Sequence, residues 1–217
     1  MTARTPSAIG RSETIVLDGK GLAAAITRMA KSIHADHRAA ASLAIVGIQS
    51  RGVPLAARLA KALRTASRKN VDVGSLDITL YRDDLSTVGT RPVLKATNIP
   101  FSIDGRPVIL VDDVLYTGRT IRAALDELVD FGRPSRIALA VLIDRGHREL
   151  PIQADYVGQT VETARADMVD VRLTETDGKD GVVSRRSATP ASGPRNRAKA
   201  GFTPAPAAGG LGGKAGQ

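Results

Sequence analysis

The feature that most limits the fold is a run of four apolar residues, Val108-Ile109-Leu110-Val111, which two adjacent aspartates follow directly. A strand that is apolar at every position has to be covered on both faces, as in the centre of a parallel sheet flanked by helices. Short β-rich runs alternate with helical patterns along the rest of the chain, which is typical of α/β proteins. The sequence therefore predicts an α/β fold with a largely parallel central sheet.

The pattern of apolar residues predicts the individual elements. The predicted strands are residues 14–17, 42–48, 76–81, 108–111, 137–143, 154–157 and 169–173. The predicted helices are residues 21–35, with Asp18 as a candidate N-cap, then 54–66 and 120–131. Residues 82–107 contain no clear core element, and a loop of about 25 residues inside a compact domain is commonly functional or mobile.

The net charge of +9 is concentrated at one end of the chain. Residues 184–217 contain six basic and no acidic residues, so residues 1–183 carry only about +3. This tail is rich in Gly, Pro, Ala and Ser and has no apolar periodicity, so we expect residues 184–217 to be a disordered basic tail. Residues 1–11 are similar, which leaves one predicted domain at residues 12–183.

The chain contains no cysteine, which excludes disulfides, thiolate metal sites and cysteine nucleophiles. No apolar run approaches the roughly 20 residues that a membrane-spanning helix needs, and the chain does not start with a signal-like apolar core. We therefore expect a soluble, cytoplasmic protein with no membrane partner.

The aspartates Asp112 and Asp113 stand where ligands bind in open α/β sheets, at the carboxyl end of a buried strand. The helix that follows begins with free backbone N–H groups that favour a phosphate, and Gly118 has no Cβ to block a close approach. Thr117 and Thr120 add hydroxyl donors. Carboxylates beside a phosphate site can accept hydrogen bonds from the vicinal hydroxyls of a sugar and stabilise positive charge at its anomeric carbon.

A strand, two aspartates and a helix would fit an ordinary helix cap equally well, but the complete run VILVDDVLYTGRT is more specific. It resembles the phosphoribosyl pyrophosphate (PRPP) motif of type I phosphoribosyltransferases. In this form it resembles the PyrR family, bifunctional regulators of pyrimidine operons with uracil phosphoribosyltransferase activity. The resemblance implies PRPP or phosphate binding by Ser50, Arg51, Asp112, Asp113, Val114, Leu115, Tyr116, Thr117, Gly118, Arg119 and Thr120, with catalytic roles for Asp112, Asp113 and Arg51.

The segment Gln49-Ser50-Arg51-Gly52 follows another predicted strand and offers one cation at a turn before a helix. Alone it fits a strand-to-helix turn with a solvated arginine. It resembles the pyrophosphate loop of the family, which usually has Thr where Ser50 stands. By the same resemblance, Arg82 and Asp83 belong to a flap over the active site, and Arg145 and Val157 help to bind the base.

The resemblance implies the type I phosphoribosyltransferase fold, a largely parallel sheet flanked by helices with a flexible flap. It implies that uracil and PRPP react to give UMP and pyrophosphate, with Mg²⁺ bound mainly through PRPP. It also implies a homodimer or a higher homo-oligomer. In PyrR proteins uridine nucleotides, UMP and UTP, control binding to pyrimidine operon mRNA.

Residues that resemble the RNA-binding surface of the family are Thr27, Arg28, His147 and Arg148. Two departures concern this surface. Gln153 stands where the family pattern leads us to expect Arg, and residues 159–163 differ from the usual Lys-Asn-(Ile/Val)-Pro-Thr.

Three other functions have to be considered. Residues 19–24 match the dinucleotide-binding pattern G-x-G-x-x-A, but the next predicted strand ends in Gln49 and Ser50 rather than in an acid that would bind a ribose. A purine phosphoribosyltransferase would share the PRPP motif. An RNA-binding regulator with little catalytic activity would need only the basic surface, and the release of pyrophosphate from PRPP and uracil would distinguish it from an enzyme.

Overall fold

The computed structural model describes residues 13–67, 70–78 and 96–187. Within these ranges the strands are β1 (Glu13–Asp18), β2 (Ser42–Ile48), β3 (Asn70–Leu76), β4 (Pro107–Leu115), β5 (Arg136–Asp144), β6 (Tyr156–Thr160), β7 (Met168–Arg172) and β8 (Gly181–Arg185). The helices are α1 (Gly19–Asp36), α2 (Gly52–Ser67), α3 (Arg119–Leu128) and α4 (Thr174–Asp177), and a 3₁₀ turn at Val129–Phe131 follows α3.

Helices α1 and α2 are amphipathic and bury one face each. The carboxylate of Asp18 accepts a hydrogen bond of 2.7 Å from the amide of Gly21, so the predicted N-cap of α1 is confirmed. Apolar residues at helical spacing face the sheet in both helices. The buried residues are Leu22, Ala25, Ile26, Met29, Ala30 and Ile33 in α1 and Leu55, Ala56, Leu59, Ala60 and Leu63 in α2.

Five strands form a parallel sheet in the order β3-β2-β4-β5-β6. Helices α1 and α2 cover one face, where Ile109 and Val111 of β4 join their core cluster. Helix α3 covers the other face, where Val108 and Leu110 pack. The prediction of an α/β fold around a central apolar strand is therefore confirmed.

The chain leaves the neighbouring strands β2 and β4 in opposite directions. It continues from β2 through α2 to β3 on one side, and from β4 through α3 to β5 on the other. Such a reversal opens a crevice at the carboxyl ends of the two strands, which is the usual ligand site of open α/β sheets. The two segments singled out in the sequence, after residues 48 and 111, both border this crevice.

A second sheet was not predicted. It has three antiparallel strands in the order β1-β8-β7, and the sequence patterns had indicated only its two outer strands. Ser184 and Arg185 belong to β8, so the ordered chain continues past the predicted start of the tail at residue 184. Ion pairs of Arg172 and Arg185 with Glu13 join the three strands. Residues 1–12 and 188–217 lie outside the described ranges.

The predicted strand at 76–81 shares only Leu76 with β3, which covers Asn70–Leu76, and residues 77 and 78 are not in a strand. Residues 79–81 lie outside the described ranges. Gly74 and Ser75 obscure the strand pattern, and the structure gives a reason for the glycine. Ser75 and Asn98 exchange backbone hydrogen bonds of 2.9 and 2.8 Å. A Cβ on Gly74 would lie 3.0 Å from the carbonyl oxygen of Asn98.

Among the described residues, no helix is long and apolar enough to cross a membrane.

We predict that Gly52→Ala destabilises the protein. A Cβ at Gly52, the first residue of α2, would lie 2.4 Å from the carbonyl oxygen of Val111 in β4, so either the helix start or the central strand has to move. We expect a loss of about 1–3 kcal/mol in the free energy of unfolding, measured by chemical denaturation. Gly181→Ala is the control, because its Cβ would stay 3.4 Å from the nearest atom, the Leu17 carbonyl oxygen. Equal losses in both variants would contradict the close approach of α2 to β4.

Candidate active site

The turn between β4 and α3, residues 116–118, directs its carbonyl groups towards the segment after β5. The carbonyl of Leu115 accepts a hydrogen bond of 3.1 Å from the amide of Arg145, and that of Tyr116 accepts one of 3.0 Å from Nη1 of Arg148. The carbonyl of Thr117 accepts from the amides of residues 149 and 150, at 2.9 and 3.2 Å. The N–H group of a trans peptide points opposite to its carbonyl. The amides of residues 116–118 therefore point away from the segment after β5.

Gly118 completes this turn in the left-handed conformation, with φ of 93°, and is the N-cap of α3. Among the described residues, no acceptor contacts the amide of Thr117 or Gly118. Successive free amides before a helix form a concave site for an anion. Thr120 is half-buried in the first turn of the helix. The predicted phosphate site thus has the donors that a phosphate needs.

Asp112 and Asp113 lie within β4 rather than after it, because the strand extends four residues beyond its predicted end to Leu115. Asp112 is only 6% exposed. Each aspartate accepts a hydrogen bond from the next backbone amide, Asp113 N at 3.0 Å and Val114 N at 2.9 Å. Val111 and Val114 both pack on the α1 and α2 side, so the regular alternation of faces is interrupted at the two aspartates.

Burial raises the pKa of Asp113 above the ordinary value of an aspartate. The hydrogen bond from the Val114 amide and the nearby Arg51 guanidinium act in the opposite direction and favour the carboxylate. Removal from water has the larger effect, so the protein holds a carboxyl group at the crevice at a cost in stability.

Arg51 stands in the turn between β2 and α2, after Ser50, which is exposed. The peptide bond between Gln49 and Ser50 is cis. The guanidinium of Arg51 donates to Asp177 of α4, with Nη2 to Oδ1 at 2.9 Å and Nε to Oδ2 at 3.3 Å. This pair raises the pKa of Arg51 and lowers that of Asp177, so both side chains stay charged at neutral pH.

The remaining residues of the predicted PRPP motif have different surroundings. Val114 packs in the cluster of α1 and α2, and Leu115 is buried on the α3 side, so both anchor the turn. Arg119 is largely exposed and pairs with Glu149, with Nε to Oε2 at 2.9 Å. The predicted flap residues, Arg82 and Asp83, lie outside the described residues.

Arg145, predicted to bind the base, is 8% exposed and lies over the ring of Tyr116, with its Cζ atom 4.3 Å from the ring centroid. Its Nη2 donates to the carbonyl of Ala164 at 3.0 Å, whereas Nε has no hydrogen-bond partner in the part of the chain that the structure describes. Val157 pairs with Val141 of β5, four residues before Arg145, which is roughly 13 Å along a strand. The two predicted base-binding residues therefore lie at different positions along the direction of the strands.

The predicted RNA-binding residues fall in two places. Thr27 and Arg28 lie on α1, where Arg28 donates to the carbonyl of Gly158 at 2.9 Å. His147 follows β5, and its Nε2 lies 2.7 Å from the carbonyl of Thr163. Arg148 is 20% exposed at its side chain and donates to backbone carbonyls and, at 2.6 Å, to Asp144. No hydrogen bond joins the α1 pair to the other pair within the described ranges.

Sequence reasoning missed Asp177, which contacts the predicted catalytic Arg51 from α4. It also missed the segment 163–165, whose carbonyls accept from Arg145, His147 and Tyr116. Neither contact leaves a local sequence signal, because the partners are far apart in the chain.

Comparison with known proteins identifies the family. The model of the phosphoribosyl transferase domain matches residues 12–176. The bifunctional protein PyrR of Elusimicrobium minutum is 56% identical over 170 residues, 78% of this chain and 95% of that protein. Its counterpart in Roseiflexus sp. is 59% identical over 179 residues, 82% of this chain and 98% of that protein. The chain belongs to the PyrR family. The resemblance predicted from the PRPP motif is confirmed, and with it a phosphoribosyltransferase.

Solved structures show the same fold. A hypoxanthine-guanine phosphoribosyltransferase from Bacillus anthracis matches with a TM-score of 0.60 and 17% identity, over 82% of this PyrR-family chain and 99% of that chain. The hypoxanthine phosphoribosyltransferase of Trypanosoma cruzi gives a TM-score of 0.64 and 23% identity, over 83% and 95% of the two chains. The predicted type I phosphoribosyltransferase fold is confirmed.

We predict that Asp113→Asn stabilises the protein at pH 7. Asparagine keeps an oxygen for the amide of Val114 but carries no charge, so the cost of burying a carboxylate disappears. We expect the melting temperature to rise by roughly 2–4 °C.

The pH dependence has a defined sign. A carboxyl whose pKa is raised on folding costs stability at pH values above that pKa, and the cost vanishes as the pH falls through it towards the ordinary value. The difference in melting temperature between Asp113→Asn and the parent protein should therefore become smaller as the pH is lowered. A difference that grows at low pH would contradict the assigned pKa direction of Asp113.

Proposed function

We propose that the protein transfers the phosphoribosyl group of PRPP to uracil, giving UMP and pyrophosphate. The observation that carries this proposal is the β4–α3 turn, where the amides of Thr117 and Gly118 have no acceptor among the described residues and two carboxylates stand a few residues before them. An anion site and paired sugar-binding acids are the two things that a ribose 5-phosphate requires. The PyrR family supports the choice of a pyrimidine as acceptor.

In the proposed reaction the bond between the anomeric carbon and the diphosphate oxygen breaks, and its electron pair leaves with pyrophosphate. Arg51, at the edge of the crevice, stabilises the negative charge that develops on the leaving group. Asp112 and Asp113 accept the ribose hydroxyls and stabilise the positive charge on the sugar. A ring nitrogen of uracil then bonds to the anomeric carbon and loses its proton. Water has to be excluded, since it would capture the cation.

Magnesium fits this site as a partner of the substrate. Among the described residues, no group of three or more His, Asp or Glu side chains is arranged to hold a metal. Mg²⁺ prefers oxygen ligands, keeps several waters and is commonly bound through substrate phosphates and one or two carboxylates. The Asp112 and Asp113 carboxylates meet that requirement, and the ion would neutralise charge on the diphosphate.

We predict that Asp113→Ala lowers the rate of UMP formation by about 10²–10³-fold, because the developing positive charge on the sugar loses its counter-charge. The measurement is pyrophosphate release from Mg²⁺, PRPP and uracil, with the fold checked by thermal melting. Asp126→Asn on the exposed side of α3 is the matched control and should keep full activity. Normal turnover by Asp113→Ala would remove the acidic pair from the mechanism.

The same assay distinguishes the base. Hypoxanthine, guanine and adenine should release little pyrophosphate where uracil releases much, and a preference for one of the purines would overturn the assignment of uracil. No pyrophosphate with any base would leave the alternative of an RNA-binding regulator with little catalytic activity.

The second proposed activity is regulation of pyrimidine genes by nucleotide-dependent binding of operon mRNA. The relatives are named bifunctional, which supports a second role besides phosphoribosyl transfer. Thr27, Arg28 and His147 are the proposed RNA contacts, with Arg148. Arginine contacts to phosphate give a salt-dependent affinity, whereas sequence recognition needs exposed single-stranded bases. The guanidinium of Arg148 donates to several backbone carbonyls and to Asp144, whereas the side chain of Arg28 makes one hydrogen bond among the described residues, to the carbonyl of Gly158. Arg28 therefore keeps more donors for a phosphate contact.

We predict that UMP or UTP strengthens binding of the cognate leader RNA. A filter-binding titration with and without nucleotide at moderate salt measures the effect. Arg28→Gln should weaken binding and reduce the slope of affinity against salt by about one phosphate contact. An RNA affinity that UMP and UTP leave unchanged at every salt concentration would contradict the regulatory role.

Other expectations stay predictions. They are the flap at Arg82 and Asp83, a homodimer or higher homo-oligomer, a cytoplasmic location, and the disordered basic tail.

A further inference from the structure

Asp177 forms a two-point ion pair with Arg51, the residue proposed to grip the leaving diphosphate. The oxygens Oδ1 and Oδ2 face Nη2 and Nε at 2.9 and 3.3 Å. Such a side-by-side pairing fixes the plane of a guanidinium as well as its position. The pair joins α4 to the β2–α2 turn across 126 residues of sequence.

The carboxylate of Asp177 is also held by hydrogen bonds from donors other than Arg51. Its Oδ2 atom also accepts hydrogen bonds from the amide of Leu173 at 3.0 Å and from the hydroxyl of Thr176 at 2.6 Å. These donors and the guanidinium lower the pKa of Asp177. The group therefore stays ionised at neutral pH and has a fixed orientation.

The segment that carries Asp177 is fastened to the helix that follows Arg51. Arg58 of α2 binds Glu175 through Nη2 at 2.5 Å and Asp180 through Nη1 at 2.8 Å. Asp180 also accepts from the amide and hydroxyl of Thr174, both at 2.8 Å. The ion pairs of Arg58 therefore join the segment of Asp177 to α2, which begins directly after Arg51.

The pairing leaves part of the Arg51 guanidinium available. Arginine has five N–H donors, and Asp177 occupies those on the edge formed by Nε and Nη2. Within residues 13–67, 70–78 and 96–187, the Arg51 side chain makes no other hydrogen bond, and it is 35% exposed. The Nη1 donors can meet an anion while the other edge stays fixed, so less side-chain freedom is lost on binding.

We propose that Asp177 is the positioning residue of Arg51, holding the guanidinium in the orientation that binds the diphosphate of the substrate. This role rests on the proposed function, because it requires that Arg51 binds a diphosphate ligand. Asp177 does not touch the substrate and acts only through Arg51.

The test is Asp177→Asn, which keeps the size of the side chain and one acceptor oxygen but removes the charge. We expect the KM for PRPP to rise roughly tenfold, the KM for uracil to stay unchanged, and kcat to fall less than about threefold. An unchanged KM for PRPP would overturn the proposal. A lowered KM would also overturn it, since Asp177 would then compete with the diphosphate instead of orienting its ligand.

Two further variants separate positioning from a structural role. Glu175→Gln weakens an ion pair of the same segment, but with Arg58, so its KM for PRPP should stay at the parent value. An equal rise there would assign the effect to the segment's stability and overturn the proposal. In the Arg51→Ala background, Asp177→Asn should cause no additional rise, because a residue that acts through Arg51 has no effect without it.

A binding measurement keeps this proposal separate from the proposed reaction. Calorimetric titration with pyrophosphate and Mg²⁺ needs no turnover, and Asp177→Asn should weaken this binding by roughly tenfold. If the parent protein binds pyrophosphate but makes no UMP, the proposed reaction fails while the positioning role of Asp177 can still be judged. Equal pyrophosphate affinity of parent and variant overturns the positioning role alone.

Discussion

The crevice depends on the hydrogen bonds that turn three successive carbonyls, those of Leu115, Tyr116 and Thr117, towards the segment after β5. Because the N–H group of a trans peptide points opposite to its carbonyl, the amides that follow these carbonyls point away from that segment. The guanidinium of Arg148 helps to hold the two segments together. It donates to the carbonyl of Tyr116 in one segment, to that of Gly146 in the other, and to the carboxylate of Asp144. The anion site is thus a property of how two neighbouring strand ends are joined, and no single motif residue creates it.

The parallel sheet brings the second half of the site to this turn. Because β2 and β4 are adjacent and their connections diverge, their carboxyl ends border the same crevice. Gly52 lets α2 begin against the backbone of Val111, directly before the two aspartates. The cation of the β2–α2 turn and the acids of β4 are therefore close enough for Arg51 to favour the charged form of Asp113. Two short segments, distant in sequence, become one site through backbone contact.

The parts of this fold that could be predicted from sequence have local causes. The apolar run 108–111 identified β4, and the glycine and threonines after it predicted an anion site at the start of α3. What could not be predicted depends on distant partners. Strand β8 is short and carries Ser184 and Arg185, so its composition matched the tail, and only pairing with β1 and β7 makes it a strand. Arg148 has the sequence character of a solvated cation, but its acceptors are carbonyls of other segments.

The surroundings of Asp177 and Asp113, the two acids near Arg51, shift their pKa values in opposite directions. Asp177 is ionised easily because Arg51, a backbone amide and a hydroxyl all donate to it, whereas burial raises the pKa of Asp113. The Arg51 guanidinium pairs with Asp177 and also favours the charged form of Asp113. Because Arg51 favours the charged form of both carboxylates, fixing its position through Asp177 also helps to keep Asp113 in the charged form that the proposed chemistry needs.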